Sequence, residues 1–162
     1  MTNSAGCGST LKEYGELFHH DPAMLSRAES LAAKSRDVSE FLADLGLRPP
    51  TRDYNKRVAY HDACHLAHGQ KIRSQPRDLL KAVPGLTLVE IADSDWCCGS
   101  AGIYNFLQPE LAEQLQTKKV GKVLAASPDV VAMGNPGCHA WIEAGMRARG
   151  DQTPVRHTIE IL

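Results

Sequence analysis

Five cysteines are the residues of this sequence best suited to chemistry: Cys7, Cys64, Cys97, Cys98 and Cys138. Thirty-two residues separate Cys64 from Cys97, and thirty-nine separate Cys98 from Cys138. Four thiolates hold Zn²⁺ tetrahedrally or an iron–sulfur cluster, and soft thiolates prefer these metals to Mg²⁺ or Ca²⁺. The side chains of adjacent Cys97 and Cys98 diverge, which strains the geometry around one small ion but lets them reach different irons of a larger cluster. Gly99, next in line, permits a close backbone approach, with amides that can hydrogen-bond to sulfur. The pattern therefore favours a cluster over zinc, held by Cys64, Cys97, Cys98 and Cys138. Cys7 reads as an unfilled ligand position or a free thiol.

A disulfide framework fits poorly. The count is odd, two of the five cysteines are adjacent, and a bond between neighbours strains the ring it closes. The N-terminus has neither a basic n-region nor an apolar h-region, and no run of about 18 apolar residues occurs. A soluble, cytoplasmic chain is expected. In that reducing compartment clustered cysteines are metal ligands or redox thiols more often than disulfides. The 162 residues, enough for one ordinary core, include 18 Lys and Arg against 19 Asp and Glu, a net charge of −1. These charges are interspersed, unlike the basic stripe of a nucleic-acid binder.

The elements that must position the cysteines follow from periodicity. Residues 9–18 read as a helix with Ser9 or Thr10 as N-cap. Residues 22–45 read as one longer helix, with apolar positions at spacings of three and four, stopped by Gly46. After Pro49-Pro50 the style changes. Short apolar strands are expected at 58–60, 86–91 and 129–133, alternating with helices at 74–83, 109–126 and 138–147. That alternation indicates an α/β fold, a short parallel sheet flanked by helices. Sites in open parallel sheets lie at the carboxyl ends of the strands. The cysteine loops are expected to converge there. Val155, Thr158, Ile159 and Leu162 have the spacing of an amphipathic helix cut short. A weak repeat is also present: Asn3-Ser4-Ala5-Gly6-Cys7 and Asn135-Pro136-Gly137-Cys138 both put Gly-Cys at a helix start, with Leu11 and Ile142 four residues on.

Three motifs carry a resemblance: His61-Asp62-Ala63-Cys64-His65, Trp96-Cys97-Cys98-Gly99-Ser100-Ala101-Gly102 and Gly134-Asn135-Pro136-Gly137-Cys138. They resemble the CCG, or cysteine-rich, domain of glycolate oxidase iron–sulfur subunits, lactate-utilisation proteins and heterodisulfide reductase B subunits. The family pattern is Cys, some thirty residues, Cys-Cys-Gly, a second such gap and Cys-x-x-Cys, usually in two copies. His65 to Gln70, Arg73 to Arg77, Cys98 to Asn105 and Val155-Arg156-His157 look most like the glycolate oxidase subunit, and the chain resembles its C-terminal part. The resemblance implies a truncated two-copy architecture. Residues 1–47 would be the helical tail of an incomplete first repeat, 48–54 a linker, and 55–162 the second repeat. It further implies a 4Fe-4S type cluster on Cys64, Cys97, Cys98 and Cys138, and a flavin-containing partner that oxidises glycolate or a related 2-hydroxy acid. Electrons would pass towards the quinone pool, with any membrane association peripheral, through the complex at its inner face. Two departures stand out. Asn135 replaces the first cysteine of Cys-x-x-Cys, and the ferredoxin-like module of the glycolate oxidase subunit has no counterpart here.

The readings that compete are a zinc-binding assembly domain on the same four cysteines, and a thiol–disulfide domain using Cys97 and Cys98. His61, His65 and His68 are expected to cap helices or hydrogen-bond around the ligands. Asp62 and Asp95 are expected to cap turns, Trp96 to form a lid, and Arg73, Arg77 and Arg156 to lie on a solvated face. No catalytic dyad is evident. Cys nucleophiles beside His65 or His139 lack a residue to orient the base.

Overall fold

The computed structural model describes residues 1–46 and 48–162. Residue 47, where the expected first segment ends, lies outside the described residues. The chain opens with four helices, α1 (Ala5–Lys12), α2 (Tyr14–Leu17), α3 (Pro22–Lys34) and α4 (Val38–Leu45). Strand β1 (Arg57–Tyr60) follows, then a π-helical turn (His65–Gly69), α5 (Ser74–Lys81) and β2 (Thr87–Glu90). The remainder is α6 (Tyr104–Leu107), α7 (Pro109–Ala125), β3 (Val130–Met133), α8 (Pro136–Arg147), β4 (Val155–His157) and α9 (Thr158–Ile161).

The four strands form one parallel sheet in the order β2-β1-β3-β4. Val58 sits opposite Leu88 on one side and Val130 on the other, and Val131 sits opposite Val155. Every residue of β3 is buried, as expected when helices cover both faces of a parallel sheet. Alternate residues serve the two faces. Ala59, Val131, Met133 and Val155 join Val120, Val123, Ile142 and Met146 in the larger core, which also takes in Ala5, Cys98 and Cys138. Val58, Tyr60, Val130 and Ala132 pack with Leu80 and Ile161 on the other face. Each such fully buried aliphatic side chain contributes about 1.5–3 kcal/mol. The α/β architecture expected from the alternation of elements is the one found.

Local signals explain where the elements begin and end, and three expectations need correction. The helix expected over 22–45 is two, because Ser35 is extended and Asp37 starts α4 with a capping box closed by Glu40. The apolar spacing runs through the break, so periodicity hides it. Gly46 does end α4, in the left-handed conformation at φ 72°. The first helix starts at Ala5, ahead of Ser9 and Thr10, and it ends at Lys12 before the short α2. Val155 belongs to an edge strand paired with β3: its register partner is Val131, 24 residues away in sequence, and the Val131 amide donates to the Pro154 carbonyl at 3.0 Å. A helix does follow it. There His157 and Glu160 make a capping box that starts α9. The π-helical turn and α6 were not expected at all.

Candidate metal centre

The sheet order puts a topological switch point between β1 and β3, since the chain leaves β1 for β2 and returns on the opposite side for β3. Ligands of open α/β sheets bind in that crevice, beyond the carboxyl ends of the strands. Cys64 stands four residues past β1, at the cap of the π-helical turn. Cys138 lies in the first turn of α8, just past β3, with Pro136 in the helix's first turn. Cys97 and Cys98 sit in the loop after β2. All four line one cavity of about 560 Å³, together with Cys7, Asn135 and the backbone around Ser100 and Gly137. Among the described residues no Asp, Glu, Lys or Arg lines it. All five cysteines are free thiols.

Hydrogen bonds to sulfur are already in place. The Gly99 amide donates to Cys97 Sγ at 3.3 Å, and Asn135 Nδ2 donates to Cys138 Sγ at 3.4 Å. His65 Nδ1 lies 3.7 Å from Cys64 Sγ. Gly99 is required for a different reason from the one expected. Its φ is +96°, and a Cβ there would meet the Ala112 carbonyl oxygen of α7 at 2.4 Å. The close approach is to a helix, and it turns the amide onto the sulfur.

His61 is the least expected member. Its ring is fully buried, and one ring nitrogen and the sulfurs of Cys98 and Cys138 all lie within 4.8 Å of one another. Neither ring nitrogen has a hydrogen-bond partner among the described residues. A buried imidazole without partners is costly, so this orphaned pair of nitrogens marks a place for a further atom. The His61 backbone amide extends the β1–β3 pairing by bonding to the Ala132 carbonyl at 2.9 Å, which fixes the backbone that carries the ring.

The thiols act on one another in a row. The Cys97 thiol beside it, with burial, pushes Cys64 up. Cys64 and Cys98 together draw Cys97 well below the usual thiol range, against burial and helped by the Gly99 amide. Cys138, between Cys98 and the His61 ring, is lowered to about 5 although burial opposes it. Cys98 is pushed up by Cys138 and Cys97 on either side and by burial. Thiols packed this closely oppose one another's ionisation, so the row as a whole retains protons. A soft cation entering this row displaces the remaining protons, as thiolate ligation requires.

Around the cavity several expected roles change. Asp62 is no turn cap: both carboxylate oxygens accept from Arg77 at 2.7 Å, and Ser94 Oγ donates to it at 2.6 Å. Arg77 therefore leaves the solvated face. It also binds Glu90, tying α5 to β2. Asp95 pairs with Arg73 at 3.1 Å, and its carbonyl faces His68 Nε2 at 3.1 Å. Arg156 donates to the Val155 carbonyl. Trp96, expected as a lid, is 59% exposed and outside the cavity lining, with the Lys122 ammonium 4.6 Å from its ring centroid. Cys7, set apart by sequence reasoning, lines the cavity. The signal that could have placed it is the Gly-Cys repeat shared with Cys138.

Residues 58–143, which include Cys64, Cys97, Cys98 and Cys138, match the family described as "Cysteine-rich domain", CCG. The chain belongs to the cysteine-rich domain family. Among curated proteins, this cysteine-rich chain is 34% identical over its whole length to the "Probable glycolate oxidase iron-sulfur subunit" of Bacillus subtilis, of which it covers 37%. It is 32% identical to the "Glycolate oxidase iron-sulfur subunit" of Escherichia coli, again over its whole length and 38% of the relative. "Lactate utilization protein A" of Geobacillus kaustophilus is 31% identical, over all of this chain and 68% of the relative. The chain thus spans less than two fifths of the length of the first two relatives, both named as iron–sulfur subunits. Among the described residues no helix is long and apolar enough to cross a membrane.

Proposed function

We propose that this cysteine-rich chain binds an iron–sulfur cluster of the 4Fe-4S type through Cys64, Cys97, Cys98 and Cys138, and serves as an electron-transfer part of a hydroxy-acid oxidase complex. The observation that carries the reading is the convergence of four thiols from three separate segments of the chain on one cavity at the sheet's switch point, free of Asp, Glu, Lys and Arg among the described residues. The donor set is soft and without carboxylates, which suits iron–sulfur ligation and disfavours hard cations. When bound, such a cluster supplies one-electron transfer at a potential set by its surroundings. The chain's own residues set those surroundings. Amides of Gly99 and Asn135 donate to the sulfurs of Cys97 and Cys138, which stabilises negative charge there. Cys98, Cys138 and His61 are buried, so the inner side of the site is shielded from water. Cys64 and Cys97 are half-buried, which leaves the outer side accessible to a redox partner.

Two relatives are named as glycolate oxidase iron–sulfur subunits, which supports a partner in such an oxidase, and we assign the complementary role to a flavin-containing subunit that oxidises glycolate or a related 2-hydroxy acid. A place at the cytoplasmic side, peripheral to the membrane through that complex, completes the proposal. A second reading rests on a separate observation. His61, Cys98 and Cys138 form a three-donor group that suits one zinc ion and an assembly role.

Metal and acid-labile sulfide analysis with a visible spectrum, on the chain purified without oxygen, separates the two. Iron and sulfide in near-equal amounts, with broad absorption that bleaches on reduction, support the cluster. Zinc without sulfide overturns it in favour of the second reading. Cys98→Ser is expected to lose most of the bound metal, because Cys98 stands in the middle of the row.

A further inference from the structure

We infer that Cys7 supplies a fifth thiol to the group held by Cys64, Cys97, Cys98 and Cys138, so that both Gly-Cys helix starts build one site. The inference rests on the cluster-binding function proposed above and extends it to a residue outside the 58–143 match.

The placement of α1 carries the argument. Its N-terminus is docked against that of α8. The Ala5 amide donates to the Gly134 carbonyl at 2.9 Å, and the Gly6 amide donates to Asn135 Oδ1 at 3.1 Å. On the opposite side Gln70 Nε2, at the end of the π-helical turn that follows Cys64, donates to the Ala5 carbonyl at 3.0 Å. The helix thereby bridges the segments that present Cys64 and Cys138. Its two faces are distinct. Ala5, Gly8 and Ser9 are buried against the domain, and Gly8 is so tight that a Cβ would meet Gln70 Nε2 at 2.6 Å. Gly6, Cys7 and Thr10, which share the other face by helical spacing, line the cysteine cavity. The Cys7 thiol is exposed and lines the same cavity as buried Cys98 and Cys138.

A thiol without a role, held at the mouth of a four-thiol cavity by three long-range hydrogen bonds, is an expensive arrangement for a residue that needs none of them. Asn135 explains why a donor is wanted at this place. It lines the cavity beside Cys138 but spends its oxygen on the Gly6 amide and its Nδ2 on Cys138 Sγ. It therefore brings no ligand of its own, and positions Cys7 instead.

The test is per-cysteine alkylation of the full chain with iodoacetamide, read by mass spectrometry, without oxygen, before and after loading with ferrous iron and sulfide. Cys7, being exposed, is expected to react readily before loading. Afterwards its rate should fall about tenfold or more, together with those of Cys64 and Cys97. Cys7→Ser should hold less iron per chain with an altered visible spectrum, while the unloaded variant melts as the parent does. Unchanged Cys7 reactivity in the loaded chain overturns the inference. So does protection of Cys7 with iron content and spectrum unaltered in Cys7→Ser, which is shielding without ligation. Failure of the parent chain to take up iron and sulfide removes the cluster reading itself, and this inference with it.

Discussion

The two walls of the cysteine cavity are held by different forces. The wall that presents Cys64, Cys97 and Cys98 is tied by charge. Asp62 from the β1 loop, Arg77 from α5, Glu90 at the end of β2 and Ser94 before the Cys-Cys pair form one network. Lys119, buried in α7, adds two bonds to the Asp93 and Ser94 carbonyls at 2.6 and 3.1 Å. The wall that presents Cys138 and Cys7 is tied by neutral hydrogen bonds, and Asn135 makes the central two. Removing one partner of a buried ion pair strands a charge, whereas removing an amide loses only modest hydrogen bonds. The first wall thus depends on buried charge, and the second on single neutral hydrogen bonds.

That contrast can be broken at its strongest point by Asp62→Ala. Arg77 keeps Glu90 but loses its buried partner, so the chain should lose about 3 kcal/mol of stability, measured by denaturant unfolding. A loss no larger than that of an exposed pair would dissolve the distinction between the walls. Protons sharpen it next. Cys64 and Cys98, both on the charged wall, are pushed up by neighbouring thiols and by burial, so the row as a whole retains protons. Loading must release them, so apparent metal affinity should rise by up to about tenfold per pH unit for each proton released. Proton release on loading in weak buffer measures this directly, and uptake indifferent to pH would contradict it.

On the neutral wall, Asn135→Ala removes the acceptor for Gly6 and the donor to Cys138 together. The expected cost is about 1–2 kcal/mol, with hydrogen exchange accelerated in α1 while the amides of β1 stay protected. The smallest effect belongs to Lys122→Ala, which removes the cation from the exposed Trp96 ring and should cost about 0.5–1 kcal/mol. Trp96 fluorescence should change with the site's metal uptake unaffected, since the ring stands outside the cavity.

Much of this molecule could be read locally. The strand of Val58-Ala59-Tyr60, the wholly apolar stretch of Val130 to Met133 and the helix from Pro109 are visible because their periods and boundary residues agree with the fold that forms. The break at Ser35 was hidden by apolar spacing that runs through it, although Asp37 and Glu40 spell its capping box. The edge strand at Val155 is too short to show a period of its own, and only pairing with Val131 makes it a strand. For the site, the expectation that Cys64, Cys97, Cys98 and Cys138 gather at strand ends follows from the alternation of elements. The bidentate Asp62–Arg77 pair and the orphaned His61 ring carry no such local signature.

What the sequence determined by itself is the set of elements and the chemical kind of the donors, because caps, periodicity and side-chain type act over a few residues. Which of those donors meet was left to the packing of the whole chain. Parallel strands must be joined by long crossovers, so the sheet order, a property of packing across the whole chain, brings the loops after β1 and β3 side by side. The same packing docks α1 on α8 and puts Cys7 at the cavity shared by the four other thiols. Local spacing is blind to it, because the contacts that fix α1 reach across most of the chain, from Ala5 and Gly6 to Gly134 and Asn135.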